Sequence, residues 1–103
     1  MSGEFYTVTN TAASYTSRGI QVDSAYSIQV NVTGTTFNVD VKLQTSIDNQ
    51  NWVDITGASE AAITADKTIM FDISVGSHAY SRVVVTRNSG DYTSNGLINS
   101  GTN

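Results

Sequence analysis

The sequence predicts an all-β, single-domain antiparallel β-sandwich, and three observations carry that prediction. Apolar and polar residues alternate over several short runs, which is the period of a strand with one buried face. Clusters of Asn, Asp, Ser, Thr and Gly separate those runs, and these residue types make turns. No run carries a helical repeat long enough to stand without tertiary support.

The clearest run is FNVDVKLQTSIDNQNW, residues 37–52. Phe37, Val39, Val41, Leu43 and Ile47 share one side of a pleat, and Asn38, Asp40, Lys42, Gln44 and Ser46 share the other. The alternation stops at Asp48-Asn49-Gln50-Asn51, whose side chains bond their own backbone, and Trp52 restarts an apolar segment. A hairpin with an aromatic at its return follows.

Ahead of it, residues 5–9 read as a short first strand, residues 10–17 as an aperiodic loop, and residues 19–22 as a brief second strand broken by Asp23-Ser24. Tyr26, Ile28, Val30 and Val32 alternate against Ser27, Gln29 and Asn31. Thr33-Gly34-Thr35-Thr36 then reads as a hairpin loop, which makes this strand the neighbour of the one from Phe37. Thr56-Gly57 closes the Trp52 segment, and residues 58–65 read as a loop with a small strand, too short for a helix despite their Ala and Glu. Ile69, Phe71, Ile73 and Val75 alternate with Met70, Asp72 and Ser74 as far as Gly76-Ser77-His78.

Residues 80–86 centre on the unbroken run Val83-Val84-Val85 followed by β-branched Thr86, the pattern of a central strand covered on both faces. Asn88-Ser89-Gly90-Asp91 makes the next turn, and residues 92–98 form a weak last strand. The expected core is Ile28, Val30, Val39, Val41, Leu43, Phe71, Ile73 and Val84. About seven or eight short strands at this spacing indicate a sandwich of jelly-roll or immunoglobulin-like kind. Residues 1–17 are expected as an N-terminal strand and polar arm, 18–98 as the sandwich and 99–103 as a flexible tail.

Composition narrows the function classes. The 103 residues suffice for one domain with a modest core. Charged residues make up 14%, against about 25% in an average chain; this suits a surface that lies against protein or sugar. The net charge is -4, and Arg18, Lys42, Lys67, Arg82 and Arg87 form no basic stripe, so nucleic acid is not an expected partner. Cysteine is absent, which removes disulfides and thiolate metal sites. No window approaches the roughly 18 apolar residues of a membrane helix, and the opening residues lack the order of a secretory signal. A membrane or secreted setting is not expected. The sequon Asn31-Val32-Thr33 falls inside a predicted strand and reads as a chance match.

Catalysis asks for a nucleophile with its base, a carboxylate pair or a metal. His78 sits in a turn with no second histidine and no cysteine, and reads as a loop histidine bonded to backbone. Asp40, Asp48, Asp54, Asp66, Asp72 and Asp91 fall in turns or on outward strand positions. Asp48 is expected to hold its turn through backbone N–H groups two or three residues on, with Asp54 solvated nearby. Residues 48–51 carry the oxygen ligands that calcium takes, but a structural turn formed by Ser46, Asp48, Asn49 and Trp52 is the favoured reading. Trp52, Tyr15, Tyr26, Tyr80 and Tyr92 are the residues for a sugar-stacking platform, against which stands Trp52 as a plug of the sandwich end. No enzymatic activity, metal or cofactor is expected.

The string from Leu43 to Trp52 resembles the Q-x-S-x-D-G-x-x-W hairpin of discoidin-like sandwiches and of small virion proteins of tailed bacteriophages, with Asn49 where glycine is usual. Asn tolerates the positive φ such a turn needs. Val32-Thr33-Gly34-Thr35 before Phe37, and Thr86-Arg87-Asn88-Ser89-Gly90, are similar to the first and last elements of the phage pattern, so the resemblance spans residues 25–91. It implies a non-enzymatic virion structural protein of capsid decoration, cement or head-fibre type. Such a protein docks on the major capsid protein or other virion proteins at the capsid surface, after synthesis in the host cytoplasm, often as a homotrimer. The alternative is a small carbohydrate-binding module of a phage fibre or tail. Proline is absent too, so one device for blunting edge strands is missing and self-association is expected. Within residues 2–17, Phe5, Tyr6 and Tyr15 are the candidate anchors for a neighbouring subunit or the capsid.

Overall fold

The computed structural model describes residues 2–22, 25–74 and 79–100. The Asp23-Ser24 break, Val75, the Gly76-Ser77-His78 turn and residues 101–103 of the expected tail lie outside the described residues. The strands are β1 (Ser2–Thr11), β2 (Tyr15–Thr16), β3 (Ile20–Gln21), β4 (Tyr26–Thr33), β5 (Phe37–Ser46), β6 (Val53–Ile63), β7 (Lys67–Ile73), β8 (Tyr80–Gly90) and β9 (Tyr92–Ser100).

They form two antiparallel sheets, one in the order β1-β9-β4-β7 and the other in the order β2-β8-β5-β6, with β3 also pairing β8. Both β2 and β3 lie on the same side of β8, so they act as one interrupted strand. The fold is thus a β-sandwich with jelly-roll strand order, and the immunoglobulin-like alternative gives way. Among the described strands, β5 and β6 are the sequential neighbours joined as a hairpin within one sheet. Links such as β4 to β5 and β8 to β9 carry the chain across to the other sheet.

The core is built from alternating positions. Tyr26, Ile28, Val30 and Val32 of β4 face Phe37, Val39, Val41 and Leu43 of β5 across the sandwich, all buried. Ile69 and Phe71 of β7 and Val83 and Val85 of β8 complete its centre. Because each position of this set lies inward on its own sheet, the alternation marks the core side without revealing which sheet holds the strand. That is why the expected β4–β5 hairpin is instead an arch between sheets. Gly34 is required in the arch, since a Cβ there would lie 2.7 Å from the Phe37 ring and 2.9 Å from the Asp91 carbonyl.

Other expectations are corrected by strand pairing. Val84 is half-buried on the outer face, and Val83 and Val85 take the core. An unbroken Val run has no phase of its own; the register Leu43↔Val83 and Val41↔Val85 supplies it. Strand β8 is central but is not buried on both faces. Ile73 packs at the core margin. Ile47 is 72% exposed and Ser46 buried, because the alternation slips by one at Thr45. Residues 58–63 continue β6 rather than forming a loop, their helix-favouring composition overridden by pairing with β5. Asn88, Ser89 and Gly90 belong to β8, leaving Asp91 alone between strands.

The weak last strand proves central. β9 lies between β1 and β4, and pairing with both extends it to Ser100, so the tail does not begin at residue 99. Its buried side chains include Ser94 and its middle is Gly96. A Cβ on Gly96 would meet the Tyr6 ring at 2.3 Å, so this small-residue stretch is the seat for an aromatic from β1.

Candidate functional site

The hairpin end between β5 and β6 is locked by one carboxylate. Asp48 Oδ1 accepts from the backbone N–H of Gln50 at 2.9 Å and of Asn51 at 2.8 Å, and from Ser46 Oγ at 2.9 Å. Its Oδ2 accepts from Asn51 Nδ2 at 2.8 Å. Asn49 N–H donates to Ser46 Oγ at 2.9 Å, and Asn49 adopts φ 61°, a left-handed conformation that Asn tolerates. The donors, led by the Asn51 and Gln50 amides, hold the Asp48 carboxyl well below the usual carboxylate range. Both oxygens are therefore already occupied by the turn itself. Beside it, Ile47 and Val53 are 72% and 63% exposed, an apolar pair on a polar tip.

Trp52 is half-buried at the return of the hairpin. The Arg82 guanidinium carbon lies 4.3 Å from the centroid of its ring, a cation–π contact. Arg82 is oriented by Gln44, whose Oε1 accepts from its Nε at 2.8 Å. Gly19 lets the ring approach, for a Cβ there would lie 2.8 Å from Trp52 and 2.2 Å from Asn49 Oδ1. Gln44 also donates to Asp54 at 2.9 Å, and Lys42 pairs with Asp54 at 3.2 Å. These two neighbours, Gln44 foremost, lower the Asp54 carboxyl. Asp48 and Asp54 thus have separate partners and form no shared acid–base pair. Sequence reasoning missed Arg82, Gln44 and Gly19, since cross-strand proximity leaves no trace in linear spacing.

The aromatic residues are dispersed. Phe5 and Tyr6, expected as anchors of a partner-facing arm, are buried in the core. Their rings meet edge-on at 5.3 Å, and Tyr6 lies 5.2 Å from Tyr15, which is half-buried. The Tyr6 hydroxyl shares a 2.9 Å hydrogen bond with Ser94. Tyr26 donates to Ser81 at 3.2 Å, and Tyr92 donates to the Ala13 carbonyl at 2.8 Å. Burial pushes the phenols of Tyr6, Tyr26 and Tyr92 upward. With Tyr26 and Tyr92 in the core, these rings do not assemble the sugar platform weighed above. The arm is likewise an integral edge strand rather than a detachable segment.

Carboxylates elsewhere serve the backbone. Asp40 accepts from Ala62 N–H at 2.8 Å, steadying an alanine at φ 56°, and Asp66 accepts from Gly34 N–H at 3.0 Å. Asp72 accepts from Ser27 Oγ at 2.6 Å. Among the described residues, no three His, Cys, Asp or Glu are grouped to hold a metal ion. Nor does any buried side-chain nitrogen or oxygen among them lack a hydrogen-bond partner. His78 lies outside the described residues.

A depression of about 800 Å³ lies on the outer face of the four-stranded sheet, where Ser27, Gln29, Met70, Asp72, Leu97 and Asn99 line it. Met70 is 54% exposed there, an apolar side chain at a position the alternation assigns to solvent. That mismatch was visible in the sequence.

Comparisons with protein-family models and with curated proteins find no match. Among solved structures the chain is similar to the SPBc2 prophage-derived protein YomS, at 16% sequence identity and a TM-score of 0.62. The likeness covers 95% of this chain and 90% of that one. It is a likeness of fold, spanning the whole sandwich.

Proposed function

We propose that this chain is a non-enzymatic structural protein of a bacteriophage particle, a decoration or cement protein that docks on the major capsid protein. The observation that supports it is the near full-length likeness of fold to a prophage-derived protein. The phage-like hairpin from Leu43 to Trp52 points the same way. The chemistry is compatible: the buried hydroxyls bond within the fold, and the hairpin carboxylate is engaged by its own turn. Jelly rolls serve both capsids and lectins, so fold alone does not choose between them. A sugar-binding role lacks the matching observation, because Arg82 covers one face of Trp52.

Particles released by cells that carry the gene, purified through a density gradient and analysed by quantitative mass spectrometry, test the reading. The chain is expected to band with the particles in proportion to the capsid protein, and purified chain should rebind particles that lack it. Recovery solely in the soluble fraction, with no rebinding, overturns the proposal.

A further inference from the structure

We infer that β7 is the edge through which two copies of this chain pair, antiparallel and in one continuous sheet, about a two-fold axis at Met70. The inference goes beyond the virion reading and does not rest on it. A sheet edge presents unpaired N–H and C=O groups, and proteins that stay single blunt them with bulges, short strands, proline or charged side chains. This chain has no proline. Three of its edges are blunted in other ways. β1 carries register shifts at Glu4/Tyr6 and Val8/Thr11, and β6 carries them against Val39/Val41 and Lys42/Gln44. The third, formed by β2 and β3, is interrupted, each having two residues.

β7 has no bulge, proline or shortening, and its two charged side chains, Lys67 and Asp72, are engaged by Glu60 and Ser27. Its seven residues pair with β4 in unbroken register, from Tyr26↔Ile73 to Val32↔Lys67. Its free side is therefore a straight ladder of the kind that accepts another strand.

The pleat then selects the partner and the register. Opposite residues of an antiparallel pair share a face, so inward Ile69 and Phe71 must meet inward residues of the added strand. A second β7 satisfies this over its full length when Met70 faces Met70 of the other copy. Ile69 then meets Phe71, which extends the core face, and Thr68 meets Asp72, so no like charges come opposite. Shifting by one residue opposes core to solvent, and shifting further leaves strand ends unpaired. The same register covers the exposed Met70, whose flexible thioether suits a self-facing contact. Beneath this edge, Glu60 of β6 is neutralised by its ion pair with Lys67. A self-complementary patch of this sort closes after two copies and forms no fibre. The two-fold axis replaces the three-fold expected from the family resemblance.

Absence of native cysteine gives a clean test. Opposed Cα atoms in an antiparallel pair lie about 4.5–5.5 Å apart, within disulfide range. Under mild oxidation Met70→Cys should convert almost wholly to a covalent dimer. Thr7→Cys on β1 and Ser59→Cys on β6, both exposed, should stay single. The unsubstituted chain should sediment at twice its 11.0 kDa mass. Met70→Lys should halve that mass while leaving the far-ultraviolet circular dichroism spectrum unchanged. A monomer at the highest soluble concentration, a trimer, or equal cross-linking by the β1 and β6 variants overturns the inference.

Discussion

The two lateral sides of the sandwich are closed by different means. On one side β1 lies over β2 and β3, and the layers are stitched by side chains. Tyr6 reaches Tyr15, and Phe5 and Ile20 are buried. On the other side β7 lies over β6, with Ile69 and Phe71 of β7 and Ala58 and Ile63 of β6 buried in the core and an ion pair from Lys67 to Glu60 at the margin. Exposed pairs of this type contribute about 0–1 kcal/mol, against several for a buried aromatic. Both sides therefore owe stability to buried side chains, Tyr6 on the first and Phe71 on the second, and the second alone leaves a regular strand edge free. Substitutions on the two sides should separate stability from association.

The largest expected effect is on the stitched side. Tyr6→Ala removes a core aromatic that is 5% exposed, and should lower unfolding free energy by about 3–5 kcal/mol in a denaturant titration. Gly96→Ala should also destabilise, because its Cβ would lie 2.3 Å from the Tyr6 ring. That cost should shrink when Tyr6→Ala is already present, since the clash has gone. Equal costs in both backgrounds would show that Tyr6 and Gly96 do not share a seat.

Gly19→Ala comes next. Crowding Trp52 and Asn49 should cost about 1–3 kcal/mol and dislodge the indole from Arg82. The chain has one tryptophan, so its emission reports the change directly. An unchanged spectrum and midpoint would contradict the packing described.

A smaller effect is expected at the β5–β6 hairpin. The Asp48 carboxyl is held below its ordinary value by the Asn51 and Gln50 amides. A carboxyl depressed in the folded state adds stability that is complete above its unfolded value of about 3.9 and is lost as pH falls toward the folded value. The melting temperature should drop on acidification below about pH 4, and Asp48→Asn should flatten part of that drop. Asp54 and Glu4 are lowered as well, so some acid sensitivity should persist in the variant.

Met70→Lys should have the smallest effect on stability and the largest on association. At low protein concentration its melting temperature should match the parent, because the side chain is 54% exposed.

The same contrast explains what the sequence revealed. β4, β5 and β7 were legible because apolar residues recur at every second position, with polar residues between them except at Met70. β9 was hard to read because its inward positions include Ser94 and Gly96, small residues that receive a ring from a strand ninety positions earlier in the chain. The turn at Asp48 was readable since its bonds are local. The partners of Trp52 were not readable because Arg82 and Gly19 come from distant segments. Phe5 and Tyr6 looked like isolated anchors for the same reason, their neighbours being at the other end of the chain.

Amide hydrogen exchange of the unsubstituted chain, followed at low and high protein concentration, tests the difference between the two sides most directly. The account predicts that amides of β7 slow as concentration rises, while those of β1 and β6 keep their rates. Slowing at β1 or β6 with β7 unaffected, or no dependence on concentration at any strand, would contradict it.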